Sequence, residues 1–315
     1  MKIVQKSSDI AAGDRPVCVA IGVFDGVHLG HQQVIRQAVA DAARCNGISV
    51  VITFDRHPAA VLAPAHVPPQ IHSMPQKLRA IAGLGVDAAC VIHFDKAFSE
   101  IAGEDFVRGL ARDCEKLQSL SVGRSFVFGR GRSGNVALLQ ALGSELNFAV
   151  HALPEFSLDG QTVSSTRVRE AVNAGDFALA GRMLGRPYAL CGIVTKGNGV
   201  GRQIGVPTAN LDVAGLLIPP SGVYAGRATI RGEPYAAAIN LGFRPTLDSS
   251  DRVLQVEAHL LNFAKDVYGD EMELVFLEKL RGEKKFPNLD ALRDQIRHDI
   301  ARIRELEGRA GRKLL

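Results

Sequence analysis

Cysteine is scarce and scattered. Cys18, Cys45, Cys90, Cys114 and Cys191 are odd in number and far apart, with no C-x-x-C pair for zinc and no dense framework of the kind secreted domains use. The expectation is reduced, mostly buried thiols in a cytoplasmic protein. Excess charge of one sign is also lacking. A formal net charge of +4 excludes a dominant field for nucleic acid, so no nucleic-acid partner is expected, although local arginines can still meet a phosphate. Long apolar runs are missing. The longest early one, VCVAIGVF, is far too short to span a bilayer, and MKIVQKSSDI carries no signal-peptide core, so no membrane association is expected. Internal repeats and low-complexity tracts are absent too. What is present is an ordinary globular composition over 315 residues, enough for two domains.

From residue 17 to about 180 the pattern alternates. VCVAIGVF, ISVVITF, DAACVIHF, QSLSVG and FAVHALP read as strands. Between them, QQVIRQAVADAARC, PQKLRAIAGLG, GEDFVRGLARDC and NVALLQALGSEL read as helices, and STRVREAVNAG closes the run. Apolar strands alternating with amphipathic helices predict a parallel sheet covered on both faces. After ALAGRMLGRPY, strand signals follow one another without helices: ALCGIVTKG, GVYAGRATI, YAAAINLG, RVLQVEAHLL and EMELVFLEKL. These predict an antiparallel barrel. A last helix follows, with Asn288 as cap and Leu289, Leu292, Ile296, Ile300 and Ile303 as one apolar stripe. The fold class is therefore α/β plus all-β, with domains at 1–185 and 186–315.

The segment GVFDGVHLGHQQ (22–33) stands where the first strand gives way to a helix. Ligands of parallel sheets bind outside the carboxyl ends of the strands. A helix start there presents free N–H groups and a positive dipole end to an anion. Gly26 and Gly30 permit a tight turn and close approach, and His28 and His31 could donate to phosphate oxygens. A structural pair and an H-x-x-H metal pair are the rival readings; no third metal ligand stands nearby. GRGRSG (129–134) fits G-x-G-x-x-G but sits fourth in the sheet with no ribose-binding acid after it, so it is a weak nucleotide signal.

His28-Leu29-Gly30-His31 resembles the H-x-G-H signature of the nucleotidyltransferase superfamily. GVFDGVHLGH together with TFDRHP (53–58) and VSSTRVR (163–169) resembles the bacterial bifunctional riboflavin kinase/FAD synthetases. The resemblance implies adenylyl transfer in the first domain: a phosphate of FMN attacks the α-phosphorus of ATP and pyrophosphate leaves. It assigns His28 and His31 to the triphosphate, with Gly22, Phe24, Asp25, Gly26 and Gly30 around the nucleotide. Ser164, Ser165, Thr166 and Arg169 face it from the other side. Read from local physics, Ser164 or Ser165 is equally a helix cap. The flavin-side segment carries Phe128, and Ser125 where the family has Asn or Asp; Arg56 replaces a proline.

The resemblance runs on through the second domain. GNGVGRQIGVPTANL (197–211) is glycine-rich but lacks the G-K-[ST] of a Walker A loop. Its PTAN resembles the riboflavin kinase signature, which implies nucleotide contacts from Gly197, Gly199, Gly201, Thr208 and Asn210, with Thr208 as a Mg²⁺ ligand. Val200 and Val206 depart from the usual basic and aromatic residues. In RVLQVEAHLL, strand alternation puts Leu254, Val256, Ala258 and Leu260 on one face, and Gln255, Glu257 and His259 on the other. VEAHLLNF and VYGDEMELVF resemble the kinase segment in which Glu257 takes the proton of the riboflavin 5′-hydroxyl. NLGFRPT (240–246) resembles the family's N-[IL]-G-x-x-P-T, which implies that Asn240 and Arg244 lie near the flavin. The implied molecules are ATP with Mg²⁺, riboflavin, FMN and FAD, acting on a monomer or weak homo-oligomer. Two other readings stay open: a nucleotidyltransferase with a different acceptor, and a flavin- or nucleotide-binding regulator without catalysis.

Overall fold

The structure is a computed structural model that describes residues 1–10, 12–197, 201, 205–246 and 249–311; for 243–246, 249–254 and 308–311 it describes the backbone only. Contacts divide the chain into Met1–Arg167 and Val168–Leu315.

The first unit is a six-stranded sheet in the order β1-β4-β3-β2-β5-β6. Its strands are β1 Lys2–Val4, β2 Val17–Ile21, β3 Ile48–Phe54, β4 Ala88–Ile92, β5 Leu117–Gly123 and β6 Ala149–Leu153, every pairing parallel. Helices α1 Leu29–Cys45, α2 Ala59–Leu62, α3 Met74–Ala82, α4 Lys96–Ser99, α5 Gly103–Asp113 and α6 Val136–Leu146 connect them. β2 and β3 are buried along their whole length. Val19, Ile52 and Leu120 join one core with Val107 and Leu110, whereas Ala20 and Val51 join another with Ile35 and Ile81. Period-two alternation on central strands thus feeds a core on each face, which explains their unbroken apolar runs. The edge strand β1 and the small hairpin β7 Ser157–Leu158 with β8 Gln161–Thr162 were not legible from the pattern. α7, Ser165–Asn173, contains the division between the units.

The strand order reverses beside β2: β3 and β4 follow on one side, β5 and β6 on the other. The loops leaving β2 and β5 therefore flank the crevice at a topological switch point.

The second unit contains α8 Phe177–Leu184 and a closed antiparallel barrel ordered β10-β13-β12-β11-β14-β9. Its strands are β9 Ala189–Thr195, β10 Ala209–Asp212, β11 Gly222–Ile230, β12 Glu233–Thr246, β13 Ser249–Leu260 and β14 Glu271–Arg281. Five were expected; β10 is the addition, and it contains the AN of PTAN. α9, Leu289–Gly311, starts as anticipated, with Asn288 Oδ1 accepting the Ala291 N–H at 2.9 Å. Ile300 and Ile303 pack with Ala225, Leu261 and Ala236 of the second unit. Leu289 is a correction: it is 56% exposed and lies outside the apolar stripe. All five cysteines are free and four are buried. Burial pushes the Cys18 and Cys90 thiols up to about 11, as expected of inert core thiols.

Candidate active sites

The loop between β2 and α1 is strongly constrained. Phe24, Gly26 and Val27 have φ of 49°, 82° and 41°. For a β-branched valine this left-handed conformation is a genuine outlier, tolerated only where surroundings enforce it. The enforcement is visible. Asp25 is buried and accepts the Ile71 N–H at 3.0 Å, and Phe24 and Val27 enter the core beside Ile35 and Val51.

His28 is the N-cap of α1, its Nδ1 accepting the His31 N–H at 3.3 Å. With Nδ1 occupied as acceptor, the proton of a neutral His28 lies on Nε2. The two rings stack with centroids 3.6 Å apart, and Phe24 meets His31 edge-on at 5.3 Å. His31 keeps some solvent contact as a residue, but its Nδ1 is buried and has no hydrogen-bond partner among the described residues. Burial, then His28, then Lys77 hold its pKa well below the ordinary histidine value. A Cβ on Gly30 would stand 3.2 Å from His28 Cε1, so glycine gives the ring its place.

The serine-threonine segment reaches this loop. Ser164 is the helix cap, its Oγ accepting the Arg167 N–H at 3.2 Å, while the Ser165 hydroxyl donates to the Asp25 carbonyl at 3.0 Å. Thr166 is exposed. Arg167 is occupied by the Leu158 and Gln161 carbonyls at the small hairpin. Arg169 lies past the division between the units.

Beside β2 and β5 opens a cavity of about 650 Å³. Ile21, Val23, Phe54, Phe94, Phe98 and Phe126 contribute to its lining, together with Phe128, Gly129 and Gly131. Phe126 and Phe128 stack at 5.2 Å. Such an apolar, aromatic space suits a flat heteroaromatic ring. Of the two residues expected on this side, Phe128 lines the cavity; Ser125 is exposed and lies outside the lining. The glycine-rich GRGRSG thus walls an aromatic cavity rather than opening a nucleotide-binding helix.

In the barrel, strand register gathers three expected residues. Asn210 of β10 stands opposite Glu257 of β13, and Glu257 stands opposite Asn240 of β12. The three form a row across adjacent strands, the closest arrangement side chains have in a sheet. Val256 and Ala258 are fully buried while Gln255, Glu257 and His259 are not, as alternation predicted. Glu257, Asn240 and Thr208 line a cavity of about 370 Å³ with Gly201, Val206, His259 and Phe286, and α9 contributes Leu292, Ile296 and Asp299. Arg281 of β14 pairs with Asp299 at 3.0 Å, tying that helix to the barrel. A second cavity of about 420 Å³ is lined by Thr208, Phe263, Lys265 and Tyr268 among others. Thr208 borders both. A Cβ on Gly197 would lie 2.1 Å from Asn210 Nδ2, so a larger residue there would displace the Asn210 amide. Gly199 and Val200 lie outside the described residues, as does the side chain of Arg244.

Residues 10–167 match the FAD synthetase family model and residues 184–307 the riboflavin kinase model. The chain is 35% identical over 310 residues to the bifunctional riboflavin kinase/FMN adenylyltransferase of Escherichia coli strain K12, covering 98% of each. It belongs to the bifunctional riboflavin kinase/FMN adenylyltransferase family. The Haemophilus influenzae relative of the same description is 37% identical, with 90% of this chain and 91% of that one covered. A solved structure described as a macrolide-efflux protein from Streptococcus pneumoniae matches with a TM-score of 0.82 at 28% identity, covering 96% of this chain and 98% of that one. Among the described residues no helix is long and apolar enough to cross a membrane.

The protein is thus a transferase with two activities, FAD synthetase in the parallel-sheet unit and riboflavin kinase in the barrel. Phe54, Phe94, Phe98, Phe106 and Phe126 were not singled out in the sequence, although HFDKAFSE carries two of them four residues apart. Lys77, one turn from Ile81 on the buried side of α3, was not singled out in the sequence either.

Proposed function

We propose that the two activities run at separate ATP sites, one in each domain. Residues 1–185 carry the adenylyltransferase and 186–315 the kinase. The observation that carries this reading is that each unit brings together its own set of motif residues: the stacked His28–His31 pair with Ser164 and Ser165 in one, and the Asn210–Glu257–Asn240 row with Thr208 in the other.

In the first unit the triphosphate of ATP lies against the start of α1, where backbone N–H groups and the helix dipole favour anions. Gly22, Phe24, Asp25, Gly26 and Gly30 shape that loop. His28 and His31 donate to phosphate oxygens as charge builds. Ser164, Ser165 and Thr166 close over the nucleotide, and Arg169 is assigned by its place in the motif. The flavin ring occupies the aromatic cavity with Phe128. An FMN phosphate oxygen attacks the α-phosphorus, the α–β bridging bond breaks and pyrophosphate departs. No protein nucleophile is needed; positioning and charge stabilisation supply the rate.

In the barrel, riboflavin occupies the cavity holding Glu257 and Asn240, and ATP the one bordered by Phe263 and Tyr268. Thr208, on both linings, marks where they meet. Glu257 takes the 5′-hydroxyl proton, the freed oxygen attacks the γ-phosphorus and ADP leaves. A carboxylate within reach of that hydroxyl is the geometric requirement. Among the described residues no cluster of three His, Cys, Asp or Glu side chains exists to cage a metal. A single hydroxyl oxygen from Thr208 fits Mg²⁺, which binds proteins through few ligands when phosphates and water supply the rest. When bound, Mg²⁺ neutralises phosphate charge. Gly197, Gly199 and Gly201 belong to the loop over the phosphates, and Arg244 to the flavin side. On this reading the protein acts in the cytoplasm as a monomer or weak homo-oligomer.

The test is to incubate the purified chain with riboflavin, ATP and Mg²⁺ and separate the flavins by chromatography. FMN followed by FAD is expected; formation of neither from folded protein contradicts the reading.

A further inference from the structure

Lys77 is a buried cation with no part in the phosphate or flavin contacts proposed above. It sits on α3, whose start is fixed by a capping box. The Gln76 N–H donates to Ser73 Oγ at 3.5 Å and the Ser73 N–H to Gln76 Oε1 at 3.2 Å. That start turns Lys77 and Ile81 inward together. Ile81 enters the apolar core. The Lys77 side chain instead runs to the carboxyl ends of β2 and β3. Its Nζ donates to the Val23 carbonyl at 3.3 Å, to Thr53 Oγ1 at 3.3 Å and to the Phe54 carbonyl at 3.0 Å. The Thr53 hydroxyl in turn donates to the Val23 carbonyl at 3.0 Å.

An ammonium has three N–H donors, and these three bonds to neutral oxygens account for them. Burying a cation on such partners is expensive, and an apolar side chain of similar length costs the fold less. Burial lowers the Lys77 pKa to about 8, against the attraction of Asp25 and Asp55. At neutral pH the group is still mostly charged.

What the charge does follows from where it sits. The three acceptors lie where the β2–α1 loop departs and where β3 ends. The cation is also close enough to contribute to holding His31 neutral, after burial and His28. A site for a polyanion built this way draws its positive potential from a lysine with no freedom to move. His31 then serves as a neutral hydrogen-bonding group, not as a titrating cation. Fixed charge of this kind needs no reorganisation as the reaction proceeds.

We propose that Lys77 is a positioning residue for adenylyl transfer, its ammonium clamping the start of the β2–α1 loop to the end of β3 as a fixed positive charge near His31 for the anionic substrate. The proposal rests on the reading of the β2–α1 loop as the nucleotide site.

The experiment uses the full chain with Lys77→Met, Lys77→Arg and, in parallel, His28→Ala with His31→Ala. FAD formation from FMN and ATP is measured as kcat and KM across pH, and FMN formation from riboflavin in the same preparation reports that the protein is folded. Lys77→Met is expected to lower the adenylyl-transfer kcat about tenfold or more with FMN formation intact. It should also move the acid limb of the profile to higher pH, because His31 loses a neighbouring cation while Asp25, Asp55 and His28 remain. Lys77→Arg should restore part of the rate and return the limb. An unchanged kcat and profile in Lys77→Met overturns the proposal, and so does a lowered kcat with an unmoved profile and no rescue by arginine. If Lys77→Met does not fold, the same profile comparison is made with Lys77→Gln. Persistent FAD formation in the double histidine variant would instead sink the reading of the loop. An inactive double variant beside a normal Lys77→Met overturns the lysine's role alone.

Discussion

The two units do related chemistry with opposite construction. In the parallel sheet the proposed site is made by what happens after strands end: a tight, buried loop with three left-handed residues, a helix start capped by His28, and the Lys77 clamp where the β2–α1 loop departs and β3 ends. In the barrel the site is made by the strands themselves, as the row Asn210–Glu257–Asn240 on one face, with α9 closing one side through Leu292, Ile296 and Asp299. A parallel sheet collects helix dipoles and free backbone N–H groups at one edge, so loops carry its function. An antiparallel barrel displays alternate side chains along its strands, so register carries its function. The first design places its histidines in a rigid pocket; the second relies on cross-strand alignment.

The largest expected effects separate the two. His28→Ala with His31→Ala should reduce FAD formation by about a hundredfold or more, the scale of losing charge-stabilising donors. FMN should still accumulate at the normal rate, as measured by chromatography of a riboflavin reaction. Glu257→Gln should do the reverse. FMN formation falls by about a hundredfold or more through loss of the base, while FAD still forms from supplied FMN. Loss of both activities in either folded variant would break the comparison. A smaller change sharpens the first site. Phe128→Ala removes one of a stacked aromatic pair and should raise the KM for FMN several-fold, in line with about 1 kcal/mol for such a pair, leaving riboflavin KM alone. The smallest effect is at Ser125. Because it is exposed and outside the cavity lining, Ser125→Asn should shift the KM for FMN by no more than about twofold, the range of ordinary surface substitutions.

Much of this was legible from local pattern. Continuous apolar strands between amphipathic helices predicted the covered parallel sheet, and strict alternation in RVLQVEAHLL put Glu257 on the face opposite Val256 and Ala258. Asn288 as cap followed from helix-start chemistry. The rest depends on contacts between distant segments. β10 is only four residues long and begins immediately after PT, too short for a periodicity to show. Leu289 fits the helical stripe by spacing, yet as the first residue of α9 it projects into solvent. The aromatic cavity draws on phenylalanines from four separate stretches, none of which marks a site alone. Lys77 looks like a surface lysine until α3 is docked and its side chain meets the ends of β2 and β3.

The central claim is that two independent sites make the two products, and complementation tests it most directly. His28→Ala/His31→Ala protein is mixed with Glu257→Gln protein and supplied with riboflavin, ATP and Mg²⁺. Alone, the first should stop at FMN and the second should leave riboflavin unchanged. Together they are predicted to make FAD, because FMN released by one kinase can be adenylylated by the other chain. FMN accumulating in the mixture without FAD, while the unaltered protein makes FAD, would contradict the account.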